Sequence, residues 1–567
     1  MISSGLSTAA ALLALSSLDL VSAQSSYGSK TTLPVVDLGY QLQQANDFNA
    51  TGNYYNFSDI RFAAPPTGEN RWKVPQHPAT NRSTVQKGGD GRMCPQANPA
   101  WALIAAQFLP TYLTTGQTQY NASSFNTTIS AGAATTSDPG TTEDCLFLDV
   151  MVPKTIFDNA GKGYGAPVLV WIYGGGYVAG SKTSNGNPAG LLRRSENNDE
   201  QGVIYVAMNY RLGAFGWMSG PTFQENGTAN VGLYDQRFAL EWVQKNIAKF
   251  GGDPKRVTVL GESAGGGSIM HQITAYGGSK GAAPFQQAIV QSPGWLPLVS
   301  NAIQEQNFKG YLELLNVSSL EEARKLPYSA LQTANIEQVG TAQYGAFIYG
   351  PAVDGDFVPA MPGELLLHGQ FDKSIRVMAG HNADEGLAFT SPFISNDTAF
   401  AAFVEQSLPS IKANPSALEY ITKTLYPPIF DGSQAQGYKD QIARAAAFIS
   451  EGVFTCNTHY LDKAYKNETY AYFFTIPPAL HAADIPYTFY DDTGVSTTVL
   501  SPKIAIALQE YLTEFAMTGM PNEKGVPYFP IYGSNSTIQN LGVTGIVGQK
   551  DPTANARCDW WQKVLYI

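Results

Sequence analysis

Charge is scarce in this chain. Asp, Glu, Lys and Arg make up 14 % of 567 residues, against roughly 25 % in an average soluble domain. The 35 basic residues are outnumbered by 46 acidic ones, for a net charge of −11, and they form no basic tract. Without clustered cations a surface cannot neutralise a phosphate backbone, so nucleic acid is excluded as a partner. There are only six histidines and four cysteines, with no Cys-x-x-Cys or His-x-x-x-His spacing, which leaves a zinc site unsupported. No run approaches the ~18 consecutive apolar residues of a membrane-spanning helix. Gly and Pro, at 55 and 34, fall short of the ~25–30 % of low-complexity chains. No Gly-X-Y period, internal repeat or interdomain linker is present. The length alone would suit several domains, but the reading adopted is one large domain with insertions over residues 24–567.

What is present points outside the cell. Hydrophobic residues make up 44 %, enough for a large core. The first 23 residues carry an Ala/Leu-rich run, Ala9–Leu15, then Val21-Ser22-Ala23. This is the form of a secretory leader cut after Ala23. Ten N-x-S/T sequons follow, at Asn49, Asn56, Asn81, Asn121, Asn126, Asn226, Asn316, Asn396, Asn467 and Asn535. Glycans there would supply the polarity that charge does not. In an oxidising compartment four cysteines make two bridges in one of three pairings. Adjacent pairing, Cys94 with Cys145 and Cys456 with Cys558, is expected.

Short β-rich runs alternate with helical patterns, which predicts an α/β fold whose large, mostly parallel sheet has helices on both faces. Strands are expected at Val168–Tyr173, Val203–Met208, Val257–Leu260, Gln287–Gln291, Ile375–Ala379 and Thr469–Ile476. A helix is expected at Asp235–Phe250, with Ala239, Trp242, Val243, Ile247 and Phe250 on one face and Gly251 as its stop. Residues 263–275 are expected to be helical, and Thr114–Thr142 an exposed loop.

The most informative stretch is VTVLGESAGG. Gly261-Glu262-Ser263-Ala264-Gly265 fits G-x-S-x-G between a strand and a helix. That turn strains the serine backbone and lifts the hydroxyl clear of the sheet. Ser263 is the candidate nucleophile, and Ser268 is read as structural. A serine needs a base, and in this context the chain order is Ser, acid, His. His77 precedes the elbow, His271 lies down the nucleophile's own helix, and His368 and His381 leave no room for an acid strand. His459 sits in a helical pattern and reads as packed. His481, in the loop PPALHAADIPY after a strong strand, is the candidate base. The acid follows strand IRVMAG. Glu385 is chosen, Asp384 is taken as a solvated loop charge, and Asp354 and Asp356 are read as turn-forming. Gly175 and Gly176, at the end of VLVWIY, and Ala264 are the candidate oxyanion donors, since glycine lets a backbone approach substrate closely.

These motifs stand among others: RFAAPPTGENRW (Arg61–Trp72), EDCLFLDV (Glu143–Val150), WIYGGGY (Trp171–Tyr177), NYRLGAFGW (Asn209–Trp217) and FGGDPKRVTVLGESAGGGS (Phe250–Ser268). Together they resemble the type-B carboxylesterase/lipase family, whose relatives include cholinesterases, from about residue 30 to the C-terminus. The resemblance implies an α/β-hydrolase fold and a Ser263–Glu385–His481 triad. It also implies an oxyanion hole of Gly175, Gly176 and Ala264, and a Cys94–Cys145 bridge. Tyr173 stands where many esterases have His, whereas cholinesterases and some family lipases carry an aromatic residue there. A secreted ester hydrolase that needs no cofactor is therefore expected. Its substrate would be a small-molecule or lipid ester, with transient contact at a lipid interface. The apolar segment Pro99–Leu113 reads either as a lid or as ordinary packing, and Tyr177, Trp295 and Phe389 are candidate pocket lining. Two alternatives use the same sequence: an acyl-transferring or lactone-forming enzyme with this triad, and a non-catalytic binding module. The intact triad argues against the second.

Overall fold

The computed structural model describes residues 33–121, 123, 125, 140–163, 165–196, 202–295, 299–433, 437–493, 498–522 and 525–566. The leader and the sequon at Asn126 lie outside them. Fourteen strands are described. In the first half of the chain they are β1 (Val35–Asp37), β2 (Gln41–Gln44), β3 (Asp47–Asn49), β4 (Tyr54–Arg61), β5 (Asn81–Gln86), β6 (Phe147–Pro153), β7 (Ala166–Ile172) and β8 (Ile204–Met208). In the second half they are β9 (Gly252–Glu262), β10 (Gln287–Gln291), β11 (Arg376–Asn382), β12 (Tyr470–Phe474), β13 (Thr537–Gly542) and β14 (Gly545–Lys550).

Eleven strands form one sheet in the order β14-β13-β12-β11-β10-β9-β7-β8-β6-β4-β3, and β1, β2 and β5 form a small second sheet. From β8 through β7, β9, β10, β11 and β12 to β13 every neighbour is parallel. The two margins, β3-β4-β6-β8 and β13-β14, are antiparallel. Of these marginal strands, only β8 is among those that the sequence pattern identifies.

The central strands carry apolar runs because both faces are covered. Every residue of β7 and β8 is buried. In the register Gln287↔Thr258, Gln287 of β10 donates through Nε2 to Thr258 Oγ1 (3.1 Å) and to the Phe515 carbonyl (2.5 Å) of the helix Pro502–Thr518. The helix Val231–Asn246 buries Ala239, Trp242 and Val243. The expected helix Asp235–Phe250 thus starts a turn earlier, and its last turn, Ile247–Phe250, tightens into a 3-10 form closed by Gly251 at φ 94°. Cys94 is bonded to Cys145 and Cys456 to Cys558.

Six of the sequons, at Asn81, Asn121, Asn226, Asn316, Asn396 and Asn535, are exposed. Asn56 lies within β4 and is half-buried. The parallel strands β9, β11 and β12 all end on the same side of the sheet. A ligand meets the carboxyl ends of strands in folds of this kind, and the candidate residues follow those ends.

Candidate active site

At the end of β9 the chain turns into the helix Ala264–Ile273 through Ser263, whose backbone sits at φ 55°, ψ −122°. This conformation costs roughly 1–3 kcal/mol for a non-glycine residue. Hydrogen bonds hold it: the Ser263 N–H donates to the Gln291 carbonyl (3.1 Å), and its carbonyl accepts from Gly267 (2.8 Å) and Gly294 (3.0 Å). The glycines of G-x-S-x-G have a steric reason. A Cβ on Gly265 would lie 1.9 Å from the Ile172 carbonyl oxygen, and one on Gly261 would lie 2.8 Å from Gly265.

The Ser263 Oγ lies 2.8 Å from His481 Nε2, and His481 Nδ1 lies 2.5 Å from Glu385 Oε2. Residues 218 and 96 positions apart in the chain meet here. Adjacent strands bring the acid and base together. β11 and β12 pair in parallel, and their following loops are joined by a bond from Asp384 N–H to the Ala479 carbonyl (2.9 Å). The other oxygen of Glu385 accepts from the Asn382 N–H (2.5 Å) and the Ser292 hydroxyl (2.7 Å). Asp384 is not the solvated charge expected of it. It is half-buried, and burial, with the Glu385 charge second, pushes its pKa up to about 6.

Electrostatics favour an ion pair. Burial opposes ionisation of Glu385, but the His481 charge and the bonds from His481, Asn382 and Ser292 outweigh it and hold its pKa below the ordinary carboxylate value. Burial likewise opposes protonation of His481, yet the charges of Glu262 and then Glu385 raise its pKa. Glu262 was not singled out from the sequence although it adjoins the nucleophile. Its Oε1 lies 3.4 Å from His481 Nε2, is buried and has no hydrogen-bond partner. Burial pushes its pKa up to about 8, against the pull of His481. Asp484, three residues past the base, accepts from Tyr472 (2.5 Å) and Asn382 (3.1 Å), and its pKa is raised by burial.

The glycine run lies against Ser263: a Cβ on Gly174 would sit 2.8 Å from the Ser263 Cβ. Gly175 and Gly176 take φ 110° and 62°, and a Cβ on Gly176 would lie 2.4 Å from the Phe347 ring. Ala264 opens the helix, where the N–H groups and the dipole face an incoming negative charge. Tyr173 is buried and stacks on Tyr210 at 4.4 Å.

Aromatic side chains wall the base. Phe389 and Phe454 lie 5.1 and 4.3 Å from the His481 ring, and Trp101 lies 6.0 Å from Phe389. Of the other candidate lining residues, Tyr177 donates to the Gly294 carbonyl (3.0 Å) and Trp295 packs on His271 (5.2 Å). Trp101 belongs to the helix Trp101–Thr115, so Thr114 and Thr115 are helical rather than loop. The remaining histidines and carboxylates stand apart from the site. His271 is buried in the nucleophile helix, and burial lowers its pKa to about 4. His459 is buried against Tyr532 (3.0 Å). Asp354 closes a turn by accepting from Asp356 and Val358 (2.9 Å each), and Ser268 accepts from Gln236 (2.9 Å). Among the described residues no group of three His, Cys, Asp or Glu could hold a metal ion.

Residues 41–561 match the Carboxylesterase family. The chain is 43 % identical to carboxylesterase patB of Penicillium expansum over 548 residues, which is 94 % of this chain and 96 % of that one. It is 31 % identical to a secreted lipase of Arthroderma benhamiae, over 75 % of this chain and 83 % of that one. The crystal structure of Aspergillus niger EstA superposes with a TM-score of 0.76 at 24 % identity, covering 94 % of this chain and 98 % of that one.

Proposed function

The chain belongs to the carboxylesterase family, with the α/β-hydrolase fold and carboxylic ester hydrolysis as its activity, and from that premise we propose a secreted serine esterase working through an acyl-enzyme. In this reading the leader is removed after Ala23, the rest is one hydrolase domain, and the exposed sequons carry glycans. The observation that carries the proposal is the continuous chain Ser263–His481–Glu385, at 2.8 and 2.5 Å, beside a glycine run.

His481 takes the Ser263 proton at Nε2 as Oγ bonds to the ester carbonyl carbon. The carbonyl oxygen gains the negative charge and is held by the N–H groups of Gly175, Gly176 and Ala264. Glu385 keeps the imidazole oriented and balances its positive charge. The tetrahedral centre then collapses, the bond to the alcohol breaks, and the alcohol leaves with the proton from Nε2. Water, deprotonated by the same nitrogen, attacks the acyl-enzyme, and the acid departs as Oγ recovers its proton.

The helix Trp101–Thr115 buries Trp101, Ala105, Phe108 and Leu109. Trp101 Nε1 ties it to the Ala346 carbonyl at 2.7 Å, and its ring lies 6.0 Å from Phe389 beside His481; in this reading the helix is a cover that shifts to admit a bulky ester. The test is hydrolysis of p-nitrophenyl esters from acetate to palmitate, with Ser263→Ala alongside. Turnover that disappears in the variant supports the esterase. Turnover that survives in it, or well-folded protein inert toward every ester, overturns it. A rise in rate as the longer esters aggregate supports an opening cover, and equal rates on dissolved and aggregated ester oppose it.

A further inference from the structure

The helix Gln441–Ile449 does not run straight into Cys456–Ala464. Between them, Ser450–Thr455 forms a π-helical turn. Such a turn takes an extra residue into an otherwise continuous helix and re-aims its side chains, and it occurs frequently at functional sites. This turn touches His481 and a neighbour of each other member of the triad. The Gly386 N–H, next to Glu385, donates to Ser450 Oγ at 2.8 Å. The acid loop lies so flat on the helix that a Cβ on Gly386 would meet the Ala446 carbonyl oxygen at 2.0 Å. Phe454 lies 4.3 Å from the His481 ring. The same ring presses on Gly294, where a Cβ would sit 2.3 Å from it, and Gly294 donates to the carbonyl of Ser263. One residue past the turn and its cysteine, Asn457 donates to the Pro293 carbonyl at 2.9 Å.

The turn is anchored from the other side by the end of the chain. Glu451 receives Arg557 through Nε (2.7 Å) and Nη2 (2.5 Å), and Tyr426 through its hydroxyl (2.6 Å). Cys456, immediately after the turn, is bonded to Cys558. Arg557 and Cys558 both belong to the helix Ala556–Trp561.

We propose that the turn Ser450–Thr455 is a positioning clamp, fixed to the C-terminal helix, that holds Glu385, His481 and Ser263 in register. Ser450 and Phe454 are its positioning residues, and neither touches substrate in this role. The proposal rests on the triad reading above. It makes the C-terminal helix, remote in sequence from the nucleophile, part of what determines turnover per site rather than stability alone.

The test uses the full chain with active-site titration and the rate at which a fluorophosphonate labels Ser263. Phe454→Leu is expected to lower kcat per titrated site by about 10–100-fold, the scale of a catalytic group displaced by an ångström. Ser450→Ala is expected to lower it by roughly 3–10-fold. KM should hold within about two-fold, and fluorophosphonate labelling should slow by the same factors as kcat. Ser450→Thr, which keeps the hydroxyl, should restore the wild-type rate. Should Phe454→Leu not fold, the Ser450 pair decides alone. Unchanged kcat per titrated site, with any lost activity matched by lost sites, would reduce the turn to packing and overturn the proposal. A wild-type chain without ester turnover would instead overturn the reading beneath it.

Discussion

The nucleophile and its two partners are built in contrasting ways. The elbow around Ser263 is local. Its strand end, strained serine, glycines and helix start fall within about ten consecutive residues, packed against Ile172 and bonded to Gln291 and Gly294 with no room for a side chain at Gly261 or Gly265. Glu385 and His481 stand on loops, and their places are set mostly by distant parts of the chain: Ser292, beside the neighbouring Asn382, on the acid, Phe389 and Phe454 on the base, and the bond between their loops. The elbow is therefore a problem of backbone fit, whereas the loops are a problem of orientation and charge. Damage to the first should appear as lost protein. Damage to the second should appear as lost rate in intact protein.

The sharpest contrast comes from removing the reacting groups. Ser263→Ala and His481→Ala should each lower kcat by roughly 10⁵–10⁶-fold, because neither works without the other, while circular dichroism remains that of the wild type. Glu385→Gln keeps the shape but not the charge. It should cost about 10⁴-fold in kcat at an unchanged KM, measured by p-nitrophenol release. The elbow should respond in the other manner: Gly265→Ala drives a methyl to within 1.9 Å of the Ile172 carbonyl oxygen. It should destabilise the fold by about 3 kcal/mol, read from the urea midpoint. Gly265→Ala protein of wild-type stability with a lost rate would erase the distinction.

The smallest effect concerns Glu262, which belongs to the elbow in sequence and to the base in space. His481 must be neutral at Nε2 to take the serine proton, so activity falls as pH drops through its pKa. Glu262 at 3.4 Å supports the imidazolium only while ionised, and its own pKa of about 8 keeps it largely protonated where the acidic limb falls. Glu262→Gln, which mimics the protonated acid, should therefore leave the acidic limb of the kcat/KM profile in place, with the plateau within about ten-fold of wild type. A limb that moves to lower pH would show an ionised Glu262 at the base.

The same contrast explains what the sequence disclosed. The elbow could be read because its reasons are local: a strand pattern, G-x-S-x-G and a helix pattern in succession. His481 and Glu385 were reached through strand ends and chain order. No local pattern marks Ser292 or Phe454, whose positions depend on strand order and on a π turn that shifts a helix by one residue. Asp384 is half-buried rather than freely solvated, a difference that no local pattern shows. Of the antiparallel margins β8 was legible, whereas β3, β4 and β14 escaped because they lack the continuous apolar run of a central strand. The helix Asp235–Phe250 was found with its ends displaced because its face is periodic, whereas its 3-10 close depends on packing.

The central claim is that Ser263 carries the acyl group. The direct measurement is acid quenching during steady turnover of p-nitrophenyl acetate, followed by peptide mass spectrometry. The account predicts one acetyl group on the peptide containing Ser263, lost from the Ser263→Ala protein together with turnover. Turnover that proceeds with that peptide unmodified, or with the acetyl group on another residue, would contradict it.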